Sequence, residues 1–239
     1  MTKRLVLLDG HALAYRAYFA LTAGGGDSRW TTSFGEPTAG TYGFASILLR
    51  VLERDQPDYL AVAFDVGKTF RNELHPEYKG TRAKMPDDMR PQVDRMRELV
   101  DVFGFPRLER EGFEADDLLG SAAFEAAESG IDVKIITGDR DLLQLVSDRI
   151  TVDLSGGKLT ELKAYRPADV KAYLGVRPDQ VVDYKALVGD PSDNYAGVPG
   201  IGPKTAVALL DRFETLDGVY ANLEEIKGAA KFVDRKSVV

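Results

Sequence analysis

The sequence predicts an α/β fold with a mostly parallel sheet, followed by a small helical module. Three short apolar runs, at residues 5–8, 59–64 and 133–136, indicate buried strands. Helical patterns lie between them, and this alternation is typical of a parallel sheet flanked by helices. After Pro178 the pattern changes to short helices separated by glycine-rich turns, which indicates a second region.

Four segments between these strands differ in pattern. Residues 41–53 and 116–128 repeat apolar side chains every three or four positions, which predicts helices with one buried face. Residues 24–37 are rich in Gly, Ser and Thr and indicate a loop. Residues 66–90 are polar with a basic excess and lack a core-forming pattern, so we expect a mobile projection over the sheet edge.

The composition limits the chemistry. The chain has 239 residues, a net charge of −7 and no cysteine, which excludes disulfides, thiol nucleophiles and zinc–thiolate sites. The N-terminal apolar run is too short for a signal-peptide core or a membrane span, so we expect a cytoplasmic protein. A negative chain argues against nucleic-acid binding, unless part of the charge belongs to carboxylates that hold divalent cations.

An aspartate follows each predicted strand closely: Asp9, Asp65 and Asp139. Ligands of an open parallel sheet bind at the carboxyl ends of its strands, so we expect these side chains to point into one crevice. The alternative interpretation is that each aspartate caps the helix that follows it.

Further acids accompany these three. They are Glu114 with Asp116 and Asp117, then Asp141 beside Asp139, then Asp190 with Asp193. Each group also has a structural interpretation: acids favour a helix N-terminus, Arg140 can pair with its neighbours, and aspartates cap turns. Residues 139 and 141 are expected to face the same way on an extended segment.

The acid cluster favours a divalent metal site. Like charges packed together cost energy unless they are protonated or bridged by a cation. Oxygen ligands without cysteine, and with only two histidines in the chain, suit Mg²⁺ or Mn²⁺ better than zinc. Two such ions about 3.5–4 Å apart are a recurrent arrangement for phosphodiester hydrolysis. No Ser-His-Asp arrangement is evident in the sequence.

The glycine-rich segment 197–205 has two interpretations. It nearly fits a phosphate-binding P-loop, but Pro203 separates the second glycine from Lys204 and no apolar strand precedes it. A helix–hairpin–helix fits better, with backbone N–H groups of the turn binding DNA phosphate. A plain packing corner between two helices is the alternative.

Ten motifs in this order resemble a known family. They lie at residues 8–10, 14–16, 42–44, 64–65, 70–71, 78–82, 112–117, 137–145, 189–194 and 197–205. Together they resemble the 5′-nuclease (flap endonuclease) family, most closely the N-terminal 5′→3′ exonuclease domain of bacterial DNA polymerase I. The resemblance implies a PIN-like nuclease core over residues 1–180, with a helical arch at about 66–110. Residues 181–239 would form the helix–hairpin–helix module, truncated at its C-terminal end.

The resemblance also implies site residues. The first metal group would comprise Asp9, Asp65, Glu114, Asp116 and Asp117. The second group would comprise Asp139, Asp141, Asp190 and Asp193, with Asp116 and Asp139 able to serve both ions. Lys79 and Arg82 would contact the scissile phosphate. The other implied DNA contacts are Arg16, Arg71, Tyr78 (by stacking on a base), Gly197, Gly200, Gly202, Lys204 and Thr205.

The implied activity is a two-metal 5′→3′ exonuclease and flap endonuclease of replication and repair. Its substrates would be DNA with 5′ flaps, nicks or RNA-primed ends. The enzyme would be a monomer with a potassium ion at the helix–hairpin–helix. It would be linked to a polymerase domain in a longer chain. Two other hypotheses stay open on the residues alone: a DNA-binding module without catalysis, and a PIN-type ribonuclease.

Overall fold

The computed structural model describes residues 2–22, 30–155 and 161–226. They divide into two compact units. The sheet unit comprises residues 1–70, 84–142 and 147–166. The helical unit comprises residues 71–83, 143–146 and 167–239, of which 227–239 lie outside the described part together with the expected C-terminal truncation.

The elements run in the following order. The first part of the chain forms β1 (Arg4–Asp9), α1 (Gly10–Thr22), α2 (Ala39–Asp55), β2 (Tyr59–Ala63), α3 (Phe70–Leu74), α4 (Arg90–Val102), β3 (Arg107–Leu108), α5 (Ala115–Glu128) and β4 (Asp132–Thr137). The rest forms β5 (Ile150–Ser155), β6 (Leu162–Tyr165), α6 (Pro167–Leu174), α7 (Val181–Val188), β7 (Gly189–Asp190), β8 (Tyr195–Ala196), α8 (Pro203–Phe213) and α9 (Leu216–Ala221).

The sheet unit is built on six strands in the order β3-β2-β1-β4-β5-β6. All neighbouring pairs are parallel except β5 with β6, which confirms the predicted mostly parallel sheet. The three predicted strands are β2, β1 and β4, which lie side by side at its centre. Apart from the exposed first residue of each strand, their side chains are mostly buried because helices cover the sheet, with α5 packed against all three strands.

Strand β5 was not predicted from the sequence because a charged residue interrupts its apolar pattern. Asp153 is 2% exposed in the middle of this strand. Its carboxylate oxygen Oδ2 lies 3.1 Å from an Arg54 guanidinium nitrogen and 3.6 Å from Lys134 Nζ. Burying a charge is tolerable only with such partners, and they come from α2 and β4, so local sequence cannot reveal them.

The polar segment 66–90 contains buried residues, so it is not the projection without core contacts that the sequence predicted. Met89 is fully buried in the main core, and Met85 packs against it. Tyr78 is 5% exposed within the helical unit. The composition misled because isolated apolar residues in a polar segment carry no periodicity, although tertiary contacts bury them.

The predicted loop at 24–37 lies partly outside the described residues. Its second half forms a tight turn closed by a bridge between Thr31 and Pro37. In the helical unit, α7 and α8 flank the glycine-rich turn as predicted, but a two-stranded hairpin of β7 and β8 stands between them. Within the described ranges, no helix is both long and apolar enough to cross a membrane.

One buried side chain joins α4 to α2. Gln92, on α4, is 1% exposed, and its Oε1 accepts hydrogen bonds from the backbone N–H groups of Gly40 at 2.8 Å and Thr41 at 3.4 Å. These N–H groups belong to the first turn of α2, where no preceding helical residue offers a carbonyl group to accept their hydrogen bonds. Gln92 therefore acts as an N-cap supplied from a distant element.

We predict that Gln92→Leu lowers the free energy of unfolding by about 1–3 kcal/mol, because it leaves buried donors without an acceptor. Urea denaturation followed by circular dichroism measures this. Glu98→Leu, at an exposed position of the same helix, is the matched control and should change stability by about 0.5 kcal/mol or less. Equal effects of the two substitutions would contradict the capping role.

Candidate active site

Three aspartates mark the carboxyl edge of the central strands. Asp9 is the last residue of β1, and Asp65 and Asp139 each follow two residues after β2 and β4. Since these strands are parallel neighbours, the three residues emerge at the same edge of the sheet, as the sequence predicted. The edge is the floor of the candidate active site in the sheet unit.

Asp9 lies deepest among them, with 4% of its surface exposed. Its Oδ1 accepts a hydrogen bond from Ala12 N at 2.9 Å, so it also caps α1. Burial raises the pKa of Asp9 to about 6, although hydrogen bonds from Thr137 and Ala12 oppose the shift, and the charges of Asp65 and Asp139 raise it further. The capping and metal-site interpretations are therefore compatible for this residue.

Thr137 connects two of the aspartates and had no assigned role in the sequence analysis. Its buried hydroxyl donates to Asp9 Oδ2 at 2.7 Å and accepts from Asp139 N at 2.9 Å. Asp139 Oδ1 in turn accepts from Asp141 N at 2.9 Å, and a short 3₁₀ helix begins at Asp141. The segment is therefore a turn, and the expectation of an extended arrangement was wrong because the aspartate side chain competes for the backbone N–H.

Asp65 is held by three elements. Its Oδ1 accepts from Ala115 N at the start of α5 at 2.7 Å. Its backbone N–H donates to His11 Nδ1 at 3.0 Å, and its carbonyl accepts from Arg97 at 3.2 Å. Burial lowers the pKa of His11, against the opposing charge of Asp65, so the imidazole is neutral and accepts at Nδ1. The carboxylate of Asp65 remains 47% exposed at the crevice.

The acids that open α5 divide between structure and site. Asp117 Oδ2 accepts from Glu114 N at 2.9 Å, so the helix-capping interpretation is correct for Asp117. Glu114 is buried at the N-cap position, and Asp116 is half-buried in the first turn. The link from Asp65 to Ala115 brings this helix start to the carboxyl edge of the sheet.

The helical unit contains the other two predicted ligands in an acidic turn, residues 189–196. Asp190 Oδ1 accepts from Ser192 N at 2.8 Å and Ser192 Oγ at 2.6 Å, while Oδ2 accepts from Lys185 Nζ at 2.5 Å. Burial alone would raise the pKa of Asp190, but the hydrogen bonds from Lys185 and Ser192 outweigh it and lower the pKa to about 2. The turn interpretation is therefore correct, and the carboxylate is strongly ionised.

Asp193 is contacted by the basic segment, residues 71–83, of the same unit. Asp193 Oδ1 accepts from an Arg82 guanidinium nitrogen at 2.5 Å, and Oδ2 accepts from Tyr78 Oη at 3.2 Å. Lys79, with φ +57°, donates its backbone N–H to the Asp193 carbonyl at 3.1 Å. The Lys79 ammonium lies 4.9 Å from the centre of the Tyr78 ring.

The position of Tyr78 corrects its predicted role. Its ring is buried and lies 5.8 Å from the ring of Tyr195, centre to centre. A buried ring offers no open face on which a base can stack, so the interpretation as a stacking platform is not supported. Tyr78 instead orients Asp193 through its hydroxyl.

The glycines of the predicted phosphate-binding turn have different reasons for being glycine. A side chain on Gly197 would lie 2.2 Å from the carbonyl carbon of Val188, so this position is required for close backbone packing. Gly200 has φ +83°, which favours glycine. Gly202 is the N-cap of α8, with Lys204 and Thr205 in the first turn of that helix. Phosphate binding by these residues stays a prediction.

The two remaining predicted DNA contacts are arginines, and both are half-buried. Arg16 is half-buried on α1, and Arg71 is half-buried on α3.

Asp139 and Asp141 belong to the sheet unit, whereas Asp190 and Asp193 belong to the helical unit. The assignment of these four acids to one ion stays a prediction of the resemblance.

The donor set of the sheet unit fits a divalent cation. It consists of carboxylate oxygens, which are the ligands that Mg²⁺ and Mn²⁺ prefer. Asp9 is buried beside two further carboxylates whose charges raise its pKa, so a cation at this edge would relieve a real electrostatic cost.

Family models match both parts of the chain. The model described as "5'-3' exonuclease, N-terminal resolvase-like domain" matches residues 4–175. The model described as "5'-3' exonuclease, C-terminal SAM fold" matches residues 176–237. The two matches are consecutive, and together they agree with a mostly parallel sheet domain followed by a helical module.

Curated relatives are DNA polymerases I. That of Chloroflexus aurantiacus is 50% identical over 231 residues, which are 95% of this chain and 24% of the relative. The thermostable enzyme of Thermus thermophilus is 46% identical over 225 residues, covering 94% of this chain and 26% of the relative. The chain thus spans about a quarter of the length of these proteins.

Solved structures share the fold. The T5 D15 protein co-crystallised with metal ions has a TM-score of 0.77 at 23% identity, covering 96% of this chain and 82% of that chain. The catalytic core of Rad2 in complex with DNA substrate has a TM-score of 0.57 at 15% identity, covering 96% and 68%. These likenesses extend over nearly the whole chain.

We predict that Asp9→Asn stabilises the metal-free protein at pH 8 by roughly 1–3 kcal/mol. The folded-state pKa of about 6 exceeds that of an unfolded aspartate, so stability falls as the pH rises from about 4 through 6. The asparagine removes this loss, and below about pH 4 the two proteins should converge. Urea denaturation in chelator at several pH values measures the difference.

The control for this prediction is Asp87→Asn, at a fully exposed position of the sheet unit, which should leave stability within about 0.5 kcal/mol. An Asp9→Asn variant less stable than the wild type at pH 8 in chelator would show that the carboxylate is not under electrostatic strain.

Proposed function

The chain belongs to the 5′-3′ exonuclease family, and from this we propose that it is a structure-selective 5′ nuclease that hydrolyses DNA phosphodiesters. Its proposed substrates are 5′ flaps, nicks and RNA-primed ends formed in replication and repair. The observation that carries the proposal is the convergence of Asp9, Asp65 and Asp139 at the carboxyl edge of neighbouring parallel strands. Carboxylates at such an edge suit metal-assisted hydrolysis by water.

The proposed cofactors are two or more Mg²⁺ or Mn²⁺ ions. Asp9, Asp65, Glu114, Asp116 and Asp117 would hold the first, and Asp139, Asp141, Asp190 and Asp193 the second. When bound, such ions lower the pKa of a coordinated water and stabilise charge on the departing oxygen. The chain itself orients the ligands: Thr137 positions Asp9 and Asp139, and His11 with Ala115 positions Asp65.

The basic segment would contribute contacts to the DNA backbone. We propose that Lys79 and Arg82 contact the scissile phosphate and offset charge that develops on it. Arg16 and Arg71 would bind neighbouring phosphates. Tyr78 is better assigned to the positioning of Asp193, because its ring is buried and its hydroxyl contacts that carboxylate.

The glycine-rich turn would hold the duplex away from the cut. Gly200 and Gly202 keep the backbone at the start of α8 free of bulky side chains, so its N–H groups can approach phosphates. Lys204 adds a positive charge, and Thr205 a hydroxyl, in the first turn. A potassium ion at this turn and phosphate contacts by Gly197 remain part of the proposal.

The relatives support a wider setting. Because they are DNA polymerases I about four times as long, we propose that this nuclease is linked to a polymerase in a longer chain. It would then remove the RNA primers and flaps that synthesis displaces, as a monomer in the cytoplasm.

The two other hypotheses are less well supported. A DNA-binding module without catalysis does not require an aspartate whose pKa is raised by burial and by two neighbouring carboxylates. A PIN-type ribonuclease does not require the helical unit with its glycine turn and basic segment. The exonuclease family models cover residues of both regions.

We predict that Asp139→Asn lowers cleavage of a 5′-flap duplex by roughly 10³-fold or more, since loss of a metal ligand removes several kcal/mol of transition-state stabilisation. Binding of the flap duplex in calcium should persist, because phosphate contacts come from other residues. Gel-based cleavage in Mg²⁺ and fluorescence anisotropy measure the two. Asp132→Asn, at an exposed position of β4, is the control; wild-type cleavage by Asp139→Asn would refute the ligand assignment.

We further predict that cleavage requires a divalent ion and leaves a 5′-phosphate and a 3′-hydroxyl. A 5′-flap DNA, a nicked DNA with an RNA 5′ end and a single-stranded RNA, each end-labelled, compare the substrate classes. The first two should be cut and the RNA strand left intact. Preferred cleavage of the single-stranded RNA would favour the ribonuclease hypothesis instead.

A further inference from the structure

We infer that Lys185 and Arg82 act as cationic partners of the acidic turn in the helical unit, and that divalent metal competes with Arg82 for Asp193 and displaces it. This inference deepens the proposed function and rests on it for the role of the released side chain. It concerns residues of one unit: the acidic turn 189–196, the basic segment 71–83 and helix α7.

The first contact is the ion pair of Arg82 with Asp193. The guanidinium donates to Asp193 Oδ1 at 2.5 Å, and its Nε donates to the Ser192 carbonyl at 3.0 Å. The two contacts hold the planar guanidinium in one orientation across the turn. The other Asp193 oxygen accepts from Tyr78. Both oxygens of a proposed metal ligand are thus already engaged by the basic segment.

The second contact is the ion pair of Lys185 with Asp190. Lys185 Nζ lies 2.5 Å from Asp190 Oδ2, and Asp190 Oδ1 accepts two hydrogen bonds from Ser192. Lys185 and Arg82 thus each pair with one carboxylate of the turn. These two positive side chains offset the charge of the two negative ones.

The segment is docked onto the turn by more than charge. Asn194 Nδ2 donates to the Glu77 carbonyl at 3.0 Å, and the ring of His75 stacks on that of Tyr195 at 5.1 Å between centres. These contacts involve neither Arg82 nor the carboxylate of Asp193. The segment can therefore stay docked while the guanidinium alone changes partner.

An exchange of partners is energetically accessible at Arg82. The Arg82 side chain is 44% exposed and that of Asp193 is 15% exposed. Water solvates the released guanidinium, so this partly exposed ion pair costs less to break than a fully buried one. A divalent cation carries twice the charge and binds carboxylate oxygen directly, so it competes successfully with a guanidinium. The displaced guanidinium becomes available to a phosphate, for which its planar donor set is suited.

The consequence is a linkage between metal and DNA contacts. Metal binding at Asp193 releases Arg82, and removal of Arg82 must favour metal binding by the same free energy. Arg82 would thus lower metal affinity while it increases cleavage. Removal of a residue with only a structural role would lower both metal affinity and cleavage.

The experiment measures Mn²⁺ affinity without DNA, by electron paramagnetic resonance of the free ion at constant ionic strength. We expect Arg82→Gln to tighten Mn²⁺ binding by about three- to five-fold, the change that loss of a partly exposed ion pair allows. The same variant should cleave flap DNA more slowly. Unchanged or weaker Mn²⁺ binding by Arg82→Gln would overturn the inference.

Two comparisons make the test specific. In an Asp193→Asn background, Arg82→Gln should no longer alter Mn²⁺ affinity, and an effect that persists there would contradict the exchange. Arg212→Gln, which removes the same charge from a pair with Glu225 in the same unit, should leave affinity unchanged. Tightening by Arg212→Gln equal to that by Arg82→Gln would assign the effect to net charge and overturn the inference.

A direct observation separates this inference from the proposed function. The Nε–H resonance of Arg82 should shift when the metal-free protein is titrated with Mg²⁺, and an unshifted resonance at saturation would refute the exchange. If the wild type cleaves flap DNA but the Arg82 results are negative, only the inference fails. If the Arg82 results hold and no DNA is cleaved, the exchange stands and the proposed function fails.

Discussion

Burial of a carboxylate beside other carboxylates at the edge of the sheet is the constraint on which the rest of the structure depends. Parallel strands β2, β1 and β4 end side by side, and each delivers an aspartate there. Burial raises the pKa of Asp9 to about 6, and the charges of Asp65 and Asp139 add to the shift. The fold keeps this arrangement only because many other interactions position and partly compensate it.

The described contacts of Asp9 and Asp65 differ in kind from those of Asp190. In the sheet unit, Asp9 and Asp65 accept from neutral donors: the Thr137 hydroxyl for Asp9 and the backbone N–H of Ala115 for Asp65. In the helical unit, Lys185 donates to Asp190 and lowers its pKa to about 2. Hydrogen bonds from neutral donors leave a carboxylate negatively charged, so it can bind a cation directly. A carboxylate in an ion pair must first exchange its cationic side chain for the metal ion.

Capping and metal-site interpretations of the acids need not compete. Asp9 caps α1, Asp117 caps α5 and Asp139 accepts from the first turn of a 3₁₀ helix, while all three lie at helix starts beside the sheet edge. A carboxylate has several lone pairs, so one can serve a backbone N–H and another can bind an ion. The helix start then fixes the ligand in place, because its own hydrogen bonds restrict the side chain.

Sequence by itself determined the central strands, two of the helices around them, the acids at the strand ends and the helical module after Pro178. Apolar periodicity and strand-end position are local signals, and the side chain that ends each strand follows directly from them. Tertiary structure alone decided that Asp153 lies buried in a strand, that Tyr78 is buried, and that Arg82 pairs with Asp193. The reason is physical: the partners that make these positions favourable come from segments distant in the chain, with Arg82 and Asp193 separated by 111 residues.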